Sequence, residues 1–196
     1  MKLTKIAISL MLASLSSFVV AQDSNGFFVQ GAVGRSDTSY NTLPQGYTGQ
    51  TSDTTWTLGG GYRINENFGV EGAYRDLGSL KITAKTSGGL TGGDTGDVSA
   101  WTAGGFATLP LGSNFELTAR GGWYSWRMSE AWSYSSGVHG SRTSTGTDTY
   151  WGVGAAYLVD KQLSAVLNWT QFKSPSSNVK DGSVIEVGLQ YRYGNP

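Results

Sequence analysis

Eight times along the chain, a segment of about ten residues alternates apolar side chains with polar or small ones. The segments begin at Gly26, Thr54, Phe68, Val98, Phe115, Thr149, Leu163 and Ser183. A period of two is that of a β-strand, whose successive side chains point to opposite faces; a helix would repeat every 3.6 residues. Each run is longer than the common strand of a globular sheet and has the length of a tilted strand crossing a bilayer. The prediction is an all-β chain, a transmembrane antiparallel up-and-down β-barrel of eight strands, since an even number permits antiparallel closure.

Composition agrees with strands. Among 196 residues there are 29 Gly, 7 Trp and 10 Tyr but only 4 Pro, and just 14% are charged. Glycine penalises helices, whereas aromatic residues favour strands. Fourteen basic residues balance fourteen acidic ones, so no electrostatic case for a nucleic-acid partner exists. The absence of cysteine excludes disulfides, thiolate metal sites, a cysteine nucleophile and a lipid-modified N-terminal cysteine.

The first residues, MKLTKIAISLMLASLSSFVVAQ, run from Lys2 and Lys5 through an apolar stretch to Val19-Val20-Ala21. This is the order of a secretory signal peptide, with cleavage expected after Ala21, residues 1–21 forming the leader and 22–196 the barrel domain. The competing reading is an uncleaved anchor, but the apolar run is short and interrupted by serines. No later segment approaches the roughly 20 apolar residues of a spanning helix.

Connections alternate in length. Asn65 to Asn67, Pro110 to Asn114 and Asp160 to Gln162 read as tight turns. Asp37 to Asp53, Ser79 to Asp97, Ser129 to Asp148 and the shorter Ser174 to Gly182 read as polar loops, all at the opposite end. Short turns at one end and long loops at the other are the asymmetry of barrels in outer membranes.

The two faces separate cleanly. One carries Phe27, Val29, Val33, Trp56, Leu58, Tyr62, Ile64, Phe68, Val70, Tyr74, Trp101, Leu109, Phe115, Leu117, Trp123, Trp151, Val153, Tyr157, Val159, Leu163, Ala165, Leu167, Trp169 and alternate residues from Ile185 to Tyr193. The other carries Gln30, Arg63, Glu71, Arg75, Glu116, Arg120, Asn168, Glu186, Gln190 and Arg192, together with Gly59, Gly61, Ala73, Gly104, Gly122 and Gly188. In a soluble barrel the apolar face would fill the core; in a membrane barrel it would face lipid. Alternation alone does not choose, and a secreted β-sandwich or lipocalin-like cup remains the rival. Aromatics near the strand ends favour the membrane, where they form interfacial girdles.

The chain closes on IEVGLQYRYGNP. Glu186, Gly188, Tyr191 and Tyr193 resemble the C-terminal assembly signal of bacterial outer-membrane barrels, with a polar residue, glycine two positions on and aromatics at the fifth and seventh. Three residues follow here, whereas the common form ends on the aromatic. Over its mature length the chain resembles the eight-stranded OmpA-type domain and its relatives of the OmpX/Ail kind. The resemblance implies an outer-membrane location, contact with lipid and lipopolysaccharide, recognition by the barrel-assembly machinery and a monomer.

Eight strands leave an interior just wide enough for side chains. Arg63, Glu71, Arg75, Glu116, Arg120, Glu186 and Arg192 are therefore expected to form a lumen ion-pair network that plugs the barrel, since buried charges must be paired. The functional expectation is a non-conducting scaffold that displays loops for surface interaction. The alternative is a small gated pore or carrier for ions or small solutes. Trp123 to Trp126, continuing to Trp132 and Tyr134, is expected to anchor the barrel at the interface or to form an aromatic ledge above it.

No enzyme site is expected. His139-Gly140-Ser141 resembles the His-x-Ser pair of outer-membrane lipid A deacylases, but it reads as loop, and the nearest upstream acid, Glu130, is not suitably spaced. A nucleophile needs a base held in reach and oriented by a third group. One histidine makes no His-rich metal site, and no cofactor is expected. Gly59-Gly60-Gly61 lies inside a strand and so makes no phosphate loop.

Overall fold

The computed structural model describes residues 25–37, 47–50, 52–85, 91–134, 137, 139–174 and 181–193. The leader read at residues 1–21, the final three residues and parts of the predicted loops lie outside them. The strands are β1 (Gly26–Asp37), β2 (Tyr47–Gln50), β3 (Ser52–Arg63), β4 (Phe68–Lys85), β5 (Thr91–Leu111), β6 (Phe115–Tyr134), β7 (His139–Leu158), β8 (Leu163–Phe172) and β9 (Gly182–Tyr193). β3 to β8 each pair antiparallel with the next strand in the chain, and β1 pairs with both β3 and β9. The ring is thereby closed, with eight staves and no edge within the barrel. Short β2, inside the predicted Asp37 to Asp53 loop, adds to β4 opposite Lys81 to Ala84.

Which way the alternation points is decided by exposure. Phe27 and Trp101 are 66% exposed and Trp123 67%, whereas Glu186 and Arg75 are each 2% exposed. A water-soluble protein does not leave its large apolar side chains outside while burying its charges. Val33, Leu58, Val70, Leu117, Val153, Leu167 and Val187 form the outer band, flanked by contacting aromatic pairs. Trp56, Tyr74 and Trp101 touch in series, with centroids 5.4 and 5.2 Å apart. Phe115 and Tyr157 lie 5.0 Å apart near the turn end.

The tight turns sit where expected, each with a polar side chain bonding the backbone. Asn65 Oδ1 accepts the Asn67 and Phe68 N–H groups at 2.9 and 2.8 Å. Gly112 adopts φ 72°, a conformation that favours glycine. Asp160 Oδ1 accepts the N–H groups of Gln162 and Leu163, both at 2.7 Å. The bonds from Gln162 and then Leu163 hold the Asp160 carboxyl below its ordinary pKa. A depressed folded value gives stability that is present above the unfolded value, about 3.9, and lost as pH falls through the folded one. A carbon-13 titration is expected to place the Asp160 midpoint below about 3.9; an ordinary midpoint would contradict the turn geometry.

The opposite end departs from the sequence reading. Most of Ser79 to Asp97 and Ser129 to Asp148 is ladder: β4 and β5 stay paired to Lys85 and Thr91, and β6 and β7 to Ser133 and His139. His139 therefore opens a strand and does not lie in a loop. Serine, threonine and glycine look like loop composition, yet threonine is a good strand residue and the tryptophans supply the packing that glycine lacks. Trp126 lies directly opposite Gly146 and Trp132 opposite Gly140. A Cβ on Gly146 would sit 2.6 Å from Trp126 Cζ2, so the indole occupies the space that glycine leaves. Among the described side chains of this stretch Tyr124, Trp126 and Trp132 face inward and Trp123 faces lipid, so these four do not form a single ledge; the Tyr134 side chain lies outside those described.

The result is a tall wall of β4, β5, β6 and β7 rising above a lower rim at β8, β9 and β1. Where β4 leaves the barrel, a bulge shifts the register between Asp76 and Gly78. Gly78 has φ 84°, and its N–H donates to Asp76 Oδ1 at 2.9 Å.

Candidate functional site

The lumen is filled in layers, beginning at the turn end. Arg63 ends β3, Glu116 is second in β6 and Arg192 is next to last in β9, so chain reversal brings all three to one level. Glu116 Oε2 lies 2.6 Å from both Arg63 Nη2 and Arg192 Nη2. Above them Phe28 and Phe106 meet edge to face at 5.7 Å, and the Arg63 guanidinium lies 5.9 Å from the Phe106 ring centre.

Two further clusters occupy the middle. Arg120 lies 3.4 Å from Glu71 and donates to Asn168 Oδ1 at 3.0 Å, while the Tyr150 hydroxyl donates to Glu71 at 3.3 Å. Arg75 donates to Glu186 Oε2 at 2.7 Å and to Thr57 Oγ1 at 3.3 Å, and the Thr57 hydroxyl donates to the other oxygen of Glu186. A cavity of about 10 Å³, room for about one water, lies beside Arg75, Arg120, Glu71 and Gln30.

An apolar layer closes the upper barrel, built from Ala100, Tyr124, Tyr150, Phe172 and Val184, with Leu77 and Trp126 packed on it. Phe172 is its centre, 5.1 Å from the Tyr124 ring, 6.0 Å from that of Tyr150 and 5.7 Å from the Arg75 guanidinium. The Tyr124 hydroxyl donates to the carbonyl of Lys173, which ties β6 to the end of β8.

All seven predicted lumen residues face inward, and each makes an ion pair with another of the seven. The inward aromatic rings were not foreseen. Their signal was the adjacent pairs Phe27-Phe28, Trp123-Tyr124 and Tyr150-Trp151, since neighbours in a strand must point to opposite faces. Inward glycines make room for these rings: a Cβ on Gly61 would lie 2.7 Å from Phe28 Cζ, and one on Gly104 2.7 Å from the Tyr150 oxygen.

Of the terminal signal residues, Glu186 is the buried partner of Arg75, whereas Tyr191 and Tyr193 lie on the lipid face, 4.9 Å apart. The Tyr191 hydroxyl donates to Gln162 at 2.9 Å, fastening β9 to the turn before β8. Gly188 faces inward against Gly31 and Ala32 of β1. Among the described residues no group of three or more His, Cys, Asp or Glu is placed to hold a metal. His139 lies at the top of the wall, paired with Ser133.

A closed antiparallel ring with an apolar outer band and charged interior defines a bacterial outer-membrane β-barrel. The chain belongs to the outer membrane protein beta-barrel domain family, whose model matches residues 6–193. Its fold is similar to that of the outer membrane protein OprG from Pseudomonas aeruginosa, with a TM-score of 0.58 at 14% identity, covering 89% of this chain and 98% of that one. It is also similar to Ail, the attachment invasion locus protein of Yersinia pestis, in complex with the heparin analogue sucrose octasulfate (TM-score 0.56, 15% identity, 87% and 99% covered). Neisserial surface protein A superposes at TM-score 0.53 with 16% identity, covering 86% of this chain and 97% of that one. No curated protein sequence matches.

Proposed function

We propose that this protein is a non-conducting outer-membrane scaffold that presents its wall to ligands at the surface of a double-membraned bacterium. The observation that carries this reading is the lumen: ion pairs fill the lower barrel, and the layer around Phe172 crosses it above. An ion entering would have to break buried pairs and then cross apolar side chains, both costly steps. Binding is the role that a stave-built wall can serve.

The binding surface is the wall above the lower rim, where Asp97, Glu130, Asp148, Arg127 and Arg142 offer both charge signs. Ail holding a sulfated sugar analogue makes sulfated sugars the first ligand class to test on this wall. Export is proposed to follow cleavage after Ala21, and insertion to follow recognition of Glu186, Gly188, Tyr191 and Tyr193 by the assembly machinery. Refolded mature protein in a planar bilayer is expected to be electrically silent once insertion is verified. Discrete, reproducible openings would move the protein to the class of small gated pores.

A further inference from the structure

Among the described residues the wall has one covered edge and one open edge. On the β4 side it is covered by β2. On the β7 side the ladder with β8 stops at Tyr150 opposite Phe172, and one further bond runs from the Lys173 N–H to the Thr149 carbonyl at 3.1 Å. Above that, Ser141 to Asp148 pair with β6 alone among the described residues. Because Thr149 turns its carbonyl towards β8, Thr147, Thr145, Thr143 and Ser141 turn both N–H and C=O to the same open side. Natural edges are usually blunted by lysine, proline or a bulge, and the stretch SRTSTGTD contains neither lysine nor proline. Its threonines favour the extended conformation that a pairing strand requires.

We propose that a second copy of this chain, in an apposed membrane, pairs antiparallel with this edge about a two-fold axis at Thr145. Direction comes from the topology: barrels inserted alike in one membrane run their β7 strands the same way, so an antiparallel pair needs two facing surfaces. Register comes from charge. With Thr145 opposite its own copy, Thr143 meets Thr147 and Arg142 meets Asp148, twice over. Residues 142 and 148 then occupy non-hydrogen-bonded positions, where opposed side chains approach most closely. A shift of two residues either way loses both ion pairs, setting Arg142 against Gly146 or Tyr150. Within its own chain Arg142 stands opposite Glu130 without forming a salt bridge. Among the described residues Asp148 Oδ1 accepts the neighbouring Thr149 N–H, at 2.8 Å.

This inference rests on the extracellular placement of the wall, which protease added to intact cells tests separately. The pairing is tested with phospholipid vesicles carrying many copies, the wall shown to face outward by trypsin cleavage, and clustering followed by light scattering. Many weak edges act together there, so modest pairing is readable. Wild type is expected to cluster, and Thr145→Pro, which removes an edge N–H, to abolish clustering. Arg142→Asp and Asp148→Arg are each expected to reduce self-clustering about tenfold, since both place like charges opposite one another. Mixing vesicles of these two variants is expected to restore clustering, because each then supplies what the other lacks. Wild-type vesicles that stay dispersed, charge variants that cluster like wild type, or a mixture that stays dispersed would each overturn the pairing.

Discussion

Glu116→Ala is expected to lower the stability of the barrel by about 3–5 kcal/mol, the usual cost of stripping one partner from a buried ion pair. The carboxylate lies between Arg63 and Arg192, each at 2.6 Å. Without it two guanidinium groups face one another across a narrow interior, with no acid at that level. Glu116→Gln should lose most of the same stability, because the amide keeps the volume and discards the charge. Urea unfolding in lipid vesicles measures the loss, and planar-bilayer recording shows whether the lower lumen opens. Unchanged stability together with a silent bilayer in Glu116→Ala would remove the support for a charge-built plug.

Val153→Arg is expected to cost about 2–4 kcal/mol in a bilayer, the penalty for a cation on the lipid face near the midplane. Val153 is 49% exposed, with Trp151 two residues above and Tyr157 four below on the same face of β7. In a soluble protein a valine so exposed would accept arginine with little consequence. Ser129→Arg, outward on the wall and above the apolar band, should stay within about 0.5 kcal/mol of wild type. Equal stability of the two variants would contradict the inside-out arrangement.

Much of the fold was legible because a strand buried on one face must alternate, and eight such runs with short and long connections leave few closures. The inner charged residues were legible for the same reason: Arg63, Glu71 and Arg75 share one parity with their glycine and alanine neighbours. The wall was not legible. Its ladder is held by cross-strand matches such as Trp126 on Gly146, and a single strand read alone shows only a tryptophan or a glycine. The Phe172 layer was legible only in part: lipid-facing Trp123 and Trp151 turn the neighbouring Tyr124 and Tyr150 inward, but that these rings meet Phe172 of β8 is again a match across strands.

Glu186 bears on how the barrel knows that it has closed. Its carboxylate is in the last strand, its guanidinium partner Arg75 is in β4, and the two meet only across the finished ring. A seam between β9 and β1 that slips by one residue would turn Glu186 out into hydrocarbon and draw Tyr191 inward. Of these two alignments only correct closure neutralises the acid, so the final strand carries a check against a one-residue slip. A barrel that fails the check keeps an unpaired charge at its seam, where it opposes sealing.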